Sequence, residues 1–197
     1  MEAGKCNTCF KKGSKSSPAN YRPISLTVNL CKVLESLIRD EMINHLEKHV
    51  LINDTQHGFV GNKSCLTNLL VFMEEITTYL DSGFPVDAIY LDFQKPFDKV
   101  PHRRLISKLQ AHGFGENVLR WIESWLYGRQ QRVVLNGQYS DWKWVLNGVP
   151  QGSVLGPLLF VVYINDIDEQ IVSKILKFAD DTNIYHIVQS PKDIETL

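Results

Sequence analysis

The 197-residue chain carries 21 Lys and Arg against 22 Asp and Glu, a net charge of −1, with 44% hydrophobic and 22% charged residues. That balance excludes a disordered or fibrous chain and leaves a globular one long enough to bury a core, as one large domain or two subdomains. No apolar run approaches the roughly 20 residues that span a bilayer, and Met1-Glu2-Ala3-Gly4-Lys5 has no apolar core of a signal peptide; the expectation is an intracellular protein without a membrane partner.

In chain order, residues 1–20 are polar and read as loop or loose strand, with Phe10 ending a short strand before Lys11-Lys12-Gly13. Lys5, Lys11, Lys12, Lys15 and Arg22 face only Glu2 in this segment. His102, Arg103, Arg104 and Lys108, then Arg129 and Arg132, form two further basic groups. Such patches suit phosphate better than the overall charge does, although most charge clusters are solvated surface. Cys6 and Cys9 form a C-x-x-C with no second Cys or His pair at zinc-finger spacing, so they read as free thiols.

Tyr21 to Leu26 is extended, because Pro23 disfavours helix at Arg22. Leu30, Val33, Leu34, Leu37, Ile38, Met42 and Leu46 recur at helical spacing and predict a helix from about Asn29 to His49, its stripe packed in a core. Ser64 is an N-cap for a second helix with Leu66, Leu69, Leu70, Met73, Ile76 and Leu80 as its core stripe, closed by Asp81-Ser82-Gly83. Val86 to Phe93 reads as a mainly buried strand with an acid, Asp92, at its end. Helices follow over Arg103–His112 and Gly115–Tyr127, then a strand pair turning near Asn136-Gly137. Gly148-Val149-Pro150-Gln151-Gly152 is a glycine-rich loop, and the helix after it accepts Pro157 in its first turn. Last, two short apolar strands flank Ala179-Asp180-Asp181 as a tight hairpin. The mixed order of helices and late hairpins predicts an α+β fold.

An Asp-Asp turn is ordinarily a solvated turn. Here, however, Asp92, Asp180 and Asp181 all stand at strand ends. Strands lying side by side would bring three carboxylates within reach of two divalent ions. Hard oxygen donors suit Mg²⁺, or Mn²⁺ in its place, and such a pair of ions serves phosphoryl transfer.

The chain resembles the reverse transcriptases of non-LTR retrotransposons of the jockey and chicken-repeat type. The resemblance rests on an ordered series: Asn20-Tyr21-Arg22-Pro23-Ile24-Ser25-Leu26, His57-Gly58-Phe59, Leu91 to Pro101, Gly148 to Pro157, Tyr163-Ile164-Asn165-Asp166-Ile167 and Phe178-Ala179-Asp180-Asp181-Thr182. It implies a right-hand polymerase fold with fingers and palm, the palm an antiparallel sheet backed by helices. Residues 10–85 would be mainly fingers and residues 86–197 mainly palm. The implied reaction adds dNTPs to a DNA primer 3′-hydroxyl on an RNA template, in nucleus or cytoplasm.

The resemblance implies that Asp92 and Asp180 bridge two Mg²⁺ ions, that Asp181 completes the acidic triad and that the Phe93 carbonyl is a further ligand. Arg22, with Lys11 or Lys12, would meet the incoming triphosphate. Phe97 would close against a ribose 2′-hydroxyl, and Gln151 and Gly152 would line the nucleotide and template pocket. Core packing is the plainer role for Phe97, and a surface ion pair for Arg22.

Two departures from the family pattern give an alternative, a catalytically inactive remnant that at most binds nucleic acid. Pro96 stands where the family has Ala, and it removes a backbone N–H from a turn that would hold the triphosphate. The chain also ends soon after the acidic hairpin, so the expectation is a fragment without thumb or endonuclease. A group II intron maturase or telomerase-type enzyme fits Phe178-Ala179-Asp180-Asp181 and Tyr163-Ile164-Asn165-Asp166 less well.

Overall fold

The structure is a computed structural model that describes residues 4–10, 13–14, 20–135, 138–190 and 193, with backbone alone at 4–9, 22, 23 and 135. In chain order its elements are β1 (Gly4–Phe10), β2 (Tyr21–Leu26), α1 (Asn29–Lys48), α2 (Cys65–Asp81), β3 (Val86–Leu91), α3 (His102–Ala111), α4 (Glu116–Leu126), β4 (Gln130–Leu135), β5 (Gln138–Tyr139), β6 (Lys143–Trp144), α5 (Gly156–Ile164), β7 (Lys174–Phe178) and β8 (Asp181–Ile187). The mixture is α+β, as the sequence predicts. Lys11 and the turn at Asn136-Gly137 lie outside the described residues, and so do the side chains of Arg22, Cys6 and Cys9. No described helix is long and apolar enough to cross a membrane.

The chain forms two compact units, each discontinuous in sequence. The first combines Met1–His49 with Lys95–Phe160 and the second Val50–Gln94 with Val161–Leu197. In the first, β1 pairs antiparallel with β2 and parallel with β4, which in turn pairs with β5 and β6. Helices α3 and α4 pack on each other, and Leu105 and Leu109 on the one and Ile122 and Leu126 on the other are buried. The reversal after α3 needs a left-handed residue, and Gly113 supplies it at φ +81°.

The stripe expected to bury α1 does so only at its C-terminal end. Met42 and Leu46 are buried, whereas Leu30, Val33, Leu34 and Leu37 are exposed. The third buried position of α1 is Glu35, whose carboxylate Oε2 accepts from the Val154 and Leu155 amides at 2.7 and 3.3 Å. Glu35 shares its face with Met42 and Leu46, and Leu30, Val33 and Leu37 fall on the opposite side of the helix.

In the second unit β3, β8 and β7 form an antiparallel sheet in that spatial order, with α2 against β7 and β3. Ser64 opens α2 with a reciprocal capping box to Thr67. The expected stripe of α2 is again not the buried one. Leu66, Leu69, Leu70, Met73 and Leu80 are exposed, while Asn68 and Phe72 are buried. Helix α2 is apolar around most of its circumference, so periodicity alone does not select a face. The choice is made by Phe72, which sits edge-on to Tyr185 at 5.1 Å, and by Asn68, which donates to the Lys177 carbonyl. Strand β3 is not buried as expected either. It is the edge of its sheet, with Tyr90 66% exposed and Ile89 39% exposed.

Candidate active site

The acidic hairpin belongs wholly to the second unit. Phe178 pairs with Asp181, leaving a two-residue loop of Ala179 and Asp180. Ala179 has φ +57° and Asp180 is not in the left-handed region. A positive φ at the first loop residue alone marks a type II′ turn, which normally takes Gly there. On the other side of β8, Thr182 pairs with Leu91. Continued by one residue, that register sets Asp92 opposite Asp181, so all three acids stand at one end of one sheet. Asp92 and Asp181 are exposed and Asp180 is half-buried.

The donor set suits a hard divalent cation: oxygen alone, from three carboxylates and the carbonyl of Phe93 next to Asp92. The closer convergence expected of the triad is not reached. Among the described residues no group of three His, Cys, Asp or Glu is arranged to hold a metal ion.

A buried polar scaffold holds the hairpin from below. The 55–57 segment runs parallel to β7, with the His57 amide donating to the Lys177 carbonyl and the Lys177 amide to the Thr55 carbonyl, both at 2.8 Å. The Lys177 side chain is fully buried, and its ammonium donates to Asp168 and to the Asn165 carbonyl. Burial pushes that ammonium below its ordinary value, and the hydrogen bond and charge of Asp168 oppose the shift. Thr55 also donates to Asp168, and Asn53 donates to Asn165 twice, its amide to Oδ1 and its Nδ2 to the carbonyl.

The other expected site residues lie in the first unit. Lys95 takes φ +51° immediately before Pro96, and Phe97–Lys99 form a 3-10 turn. The Phe97 ring stacks on Phe160 with centroids 4.3 Å apart, and its carbonyl accepts from the Val149 amide at 2.8 Å. Gln151 accepts from the Ser25 amide on β2, and its side chain reaches Asp98 at 3.5 Å. Burial raises the Asp98 carboxyl, against the nearby charge of Lys95. Gly152 has φ +96°, and a Cβ there would lie 3.0 Å from the Ser25 carbonyl oxygen. The space expected for a ligand beside Gly152 is therefore lined by β2 backbone. Phe97, Gln151, Gly152 and the strand that carries Arg22 are thus brought together.

Two residues read as surface basic groups are turned inward. His102 is 2% exposed and its Nε2 donates to the Gly148 carbonyl at 2.8 Å. Arg129 donates to the same carbonyl at 3.2 Å, and burial pushes its guanidinium down to about 10, against support from the charge of Glu35. The sequence reading also passed over Gln56 and Glu35. An acid set inside an apolar helical stripe, and a glutamine one residue before His57-Gly58, are the signals the sequence carries for them.

This arrangement is a polymerase fold. It superposes on the telomerase of Candida tropicalis in complex with a fragment of telomeric RNA with a TM-score of 0.67 and 13% identity, over 98% of this chain and 37% of that one. The apo telomerase of the same organism, truncated from its C-terminal domain, gives 0.66 and 12%, over 98% of this chain and 45% of that one. Identities this low bear on the fold alone. Residues 10–196 match the family described as reverse transcriptase (RNA-dependent DNA polymerase), and the chain belongs to that family. It is 35% identical to a probable RNA-directed DNA polymerase from transposon X-element of Drosophila melanogaster, over 83% of this chain and 18% of that protein. It is 33% identical to the RNA-directed DNA polymerase from mobile element jockey of the same fly, over 84% of this chain and 19% of that protein. The chain thus spans less than a fifth of the length of these relatives.

Proposed function

We propose that this chain is the nucleotide-transferring part of an RNA-directed DNA polymerase of a non-LTR retrotransposon, extending a DNA primer with dNTPs on an RNA template. The observation that carries the reading is the β3–β8–β7 register, which lines up Asp92, Asp180 and Asp181 at one sheet end in a chain of this family. Asp92, Asp180 and Asp181, with the Phe93 carbonyl, would hold Mg²⁺, or Mn²⁺ in its place. The bound ions would activate the primer hydroxyl and neutralise the charge that builds on the phosphate. The chain's own contribution is positioning: three carboxylates at one end of one sheet, with the turn that carries Asp180 tied to a buried scaffold.

The Phe97 ring, braced by Phe160, would select against a 2′-hydroxyl. Gln151 and Gly152, with Arg22 and Lys11, would meet the incoming nucleotide. Residues 10–85 would serve mainly as fingers and residues 86–197 mainly as palm. Primer extension on an RNA template with Mg²⁺ or Mn²⁺ tests the reading. Extension by the chain that is lost in Asp180→Asn is expected. Extension indifferent to Asp180→Asn would overturn the role of the triad, and no extension with either ion would overturn autonomous activity.

A further inference from the structure

We propose that Gln56 is a positioning residue for the acidic hairpin, its side-chain amide holding the Ala179–Asp180 turn in the conformation that presents the two aspartates. The proposal rests on the reading of Asp180 and Asp181 as cation-holding carboxylates and adds a residue that acts through them.

The problem Gln56 addresses is local. Ala179 occupies the left-handed region at φ +57°, where a residue with a Cβ is strained and glycine is the usual choice. Such conformations persist where the surroundings over-determine them. Gln56 is 1% exposed. Its Oε1 accepts from the Ala179 amide at 2.9 Å and from the Gly58 amide at 2.8 Å. Its Nε2 reaches the Ala179 carbonyl at 3.5 Å. One side chain therefore engages both backbone polar groups of the strained residue.

The base of this clamp is fixed as well. The Gln56 backbone lies beside Lys177, bracketed by the two hydrogen bonds of residues 55 and 57 to that residue. A carboxamide suits the task because it offers an acceptor and a donor without charge. A carboxylate in its place would set a further negative charge in the buried wall behind Asp180. Gly58 completes the fit, since a Cβ there would collide with the Ala179 nitrogen. A purely structural glutamine would need only some satisfied partner. This one converges on the strained residue immediately before Asp180.

The test uses the full 197-residue chain and Mn²⁺ as the probe, read by electron paramagnetic resonance. Wild type should bind Mn²⁺, and Asp180→Asn should abolish that binding. Failure of either result overturns the metal reading and this proposal with it. Given that site, Gln56→Met should weaken Mn²⁺ affinity by about 10–100-fold, the usual cost of losing an outer-shell partner. Adding Ala179→Gly should restore most of it, because glycine takes the positive φ without a clamp. Unchanged affinity in Gln56→Met, or no recovery in the double variant, overturns the proposal while leaving the metal site standing. Hydrogen exchange supplies a reading that needs no variant. The wild-type Ala179 amide should be protected, and exchange as fast as that of the exposed loop residue Asn62 would equally overturn the clamp.

Discussion

A Cβ built on Gly58 would meet the Ala179 nitrogen at 2.3 Å and the Phe178 carbonyl carbon at 2.9 Å. Two backbones meet there with room only for hydrogen, and the contact joins the 55–58 segment to the acidic turn. Gly58→Ala cannot be absorbed by a side-chain swing, because the obstructing atoms are main chain. It should destabilise the protein by about 1–3 kcal/mol, the usual range for overpacking. A urea melt of the variant checks this, and an unchanged midpoint would mean that the turn yields freely.

Lys177 tests the scaffold beneath the same turn. Its ammonium is buried against Asp168, which also accepts from Thr55. Lys177→Met would leave a largely buried carboxylate without its cation, at a cost of about 3–5 kcal/mol. Pairing it with Asp168→Leu removes the orphaned charge along with its partner. The double variant should therefore recover much of the loss in chemical denaturation, and a double variant no better than the single would show that the ion pair is not the stabilising unit.

The hairpin, the helix limits and the acids at strand ends follow from local pattern: Ser64 caps α2 and the apolar flanks of Asp180-Asp181 form β7 and β8. The facing of the helices does not follow. In α1 and α2 the apolar periodicity admits several rotations, and polar groups choose among them, Glu35 by receiving the Val154 and Leu155 amides and Asn68 by reaching Lys177. Gln56 is hidden for a related reason, since Ala179, the residue it clamps, lies 123 residues away along the chain. His102 and Arg129 resemble surface charge until the fold brings Gly148 between them.

Pro96 gives a gain-of-function prediction. Its φ of −63° and ψ of −40° suit alanine equally well, and the turn's hydrogen bonds, Asp98 amide to Lys95 carbonyl and Lys99 amide to Pro96 carbonyl, need no N–H at position 96. Pro96→Ala should therefore keep the turn and add one N–H donor. If that donor meets a phosphate, about 1.5–3 kcal/mol is regained, or about tenfold to over a hundredfold in dNTP incorporation. The greater freedom of the unfolded chain would cost stability of about 0.4–1 kcal/mol. Steady-state incorporation with RNA template and dNTP decides the matter, and equal rates in the two proteins would remove Pro96 as a defect.

His102 makes the first unit sensitive to acid. With Nε2–H donating to the Gly148 carbonyl, the ring is neutral and Nδ1 faces no protein partner among the described residues. A second proton would place an unsolvated charge near Arg129. Burial, and to a lesser degree that arginine, therefore hold the folded pKa below the ordinary 6.5, although the Gly148 hydrogen bond works the other way. The folded pKa is depressed, so between that value and 6.5 the unfolded chain binds more protons than the native one. Stability is full above this window and falls as pH drops through it. His57 in the second unit is shifted in the same direction, by burial and then by Lys63, and adds a loss of the same sign. Asp98 has the opposite shift, so lowering the pH toward its raised pKa favours the native state. His102→Gln keeps a donor for Gly148 and cannot titrate. Urea midpoints measured from about pH 8 to about pH 5 should fall less steeply in that variant than in wild type. Parallel curves for the two proteins would show that His102 takes up its proton in the native state without penalty.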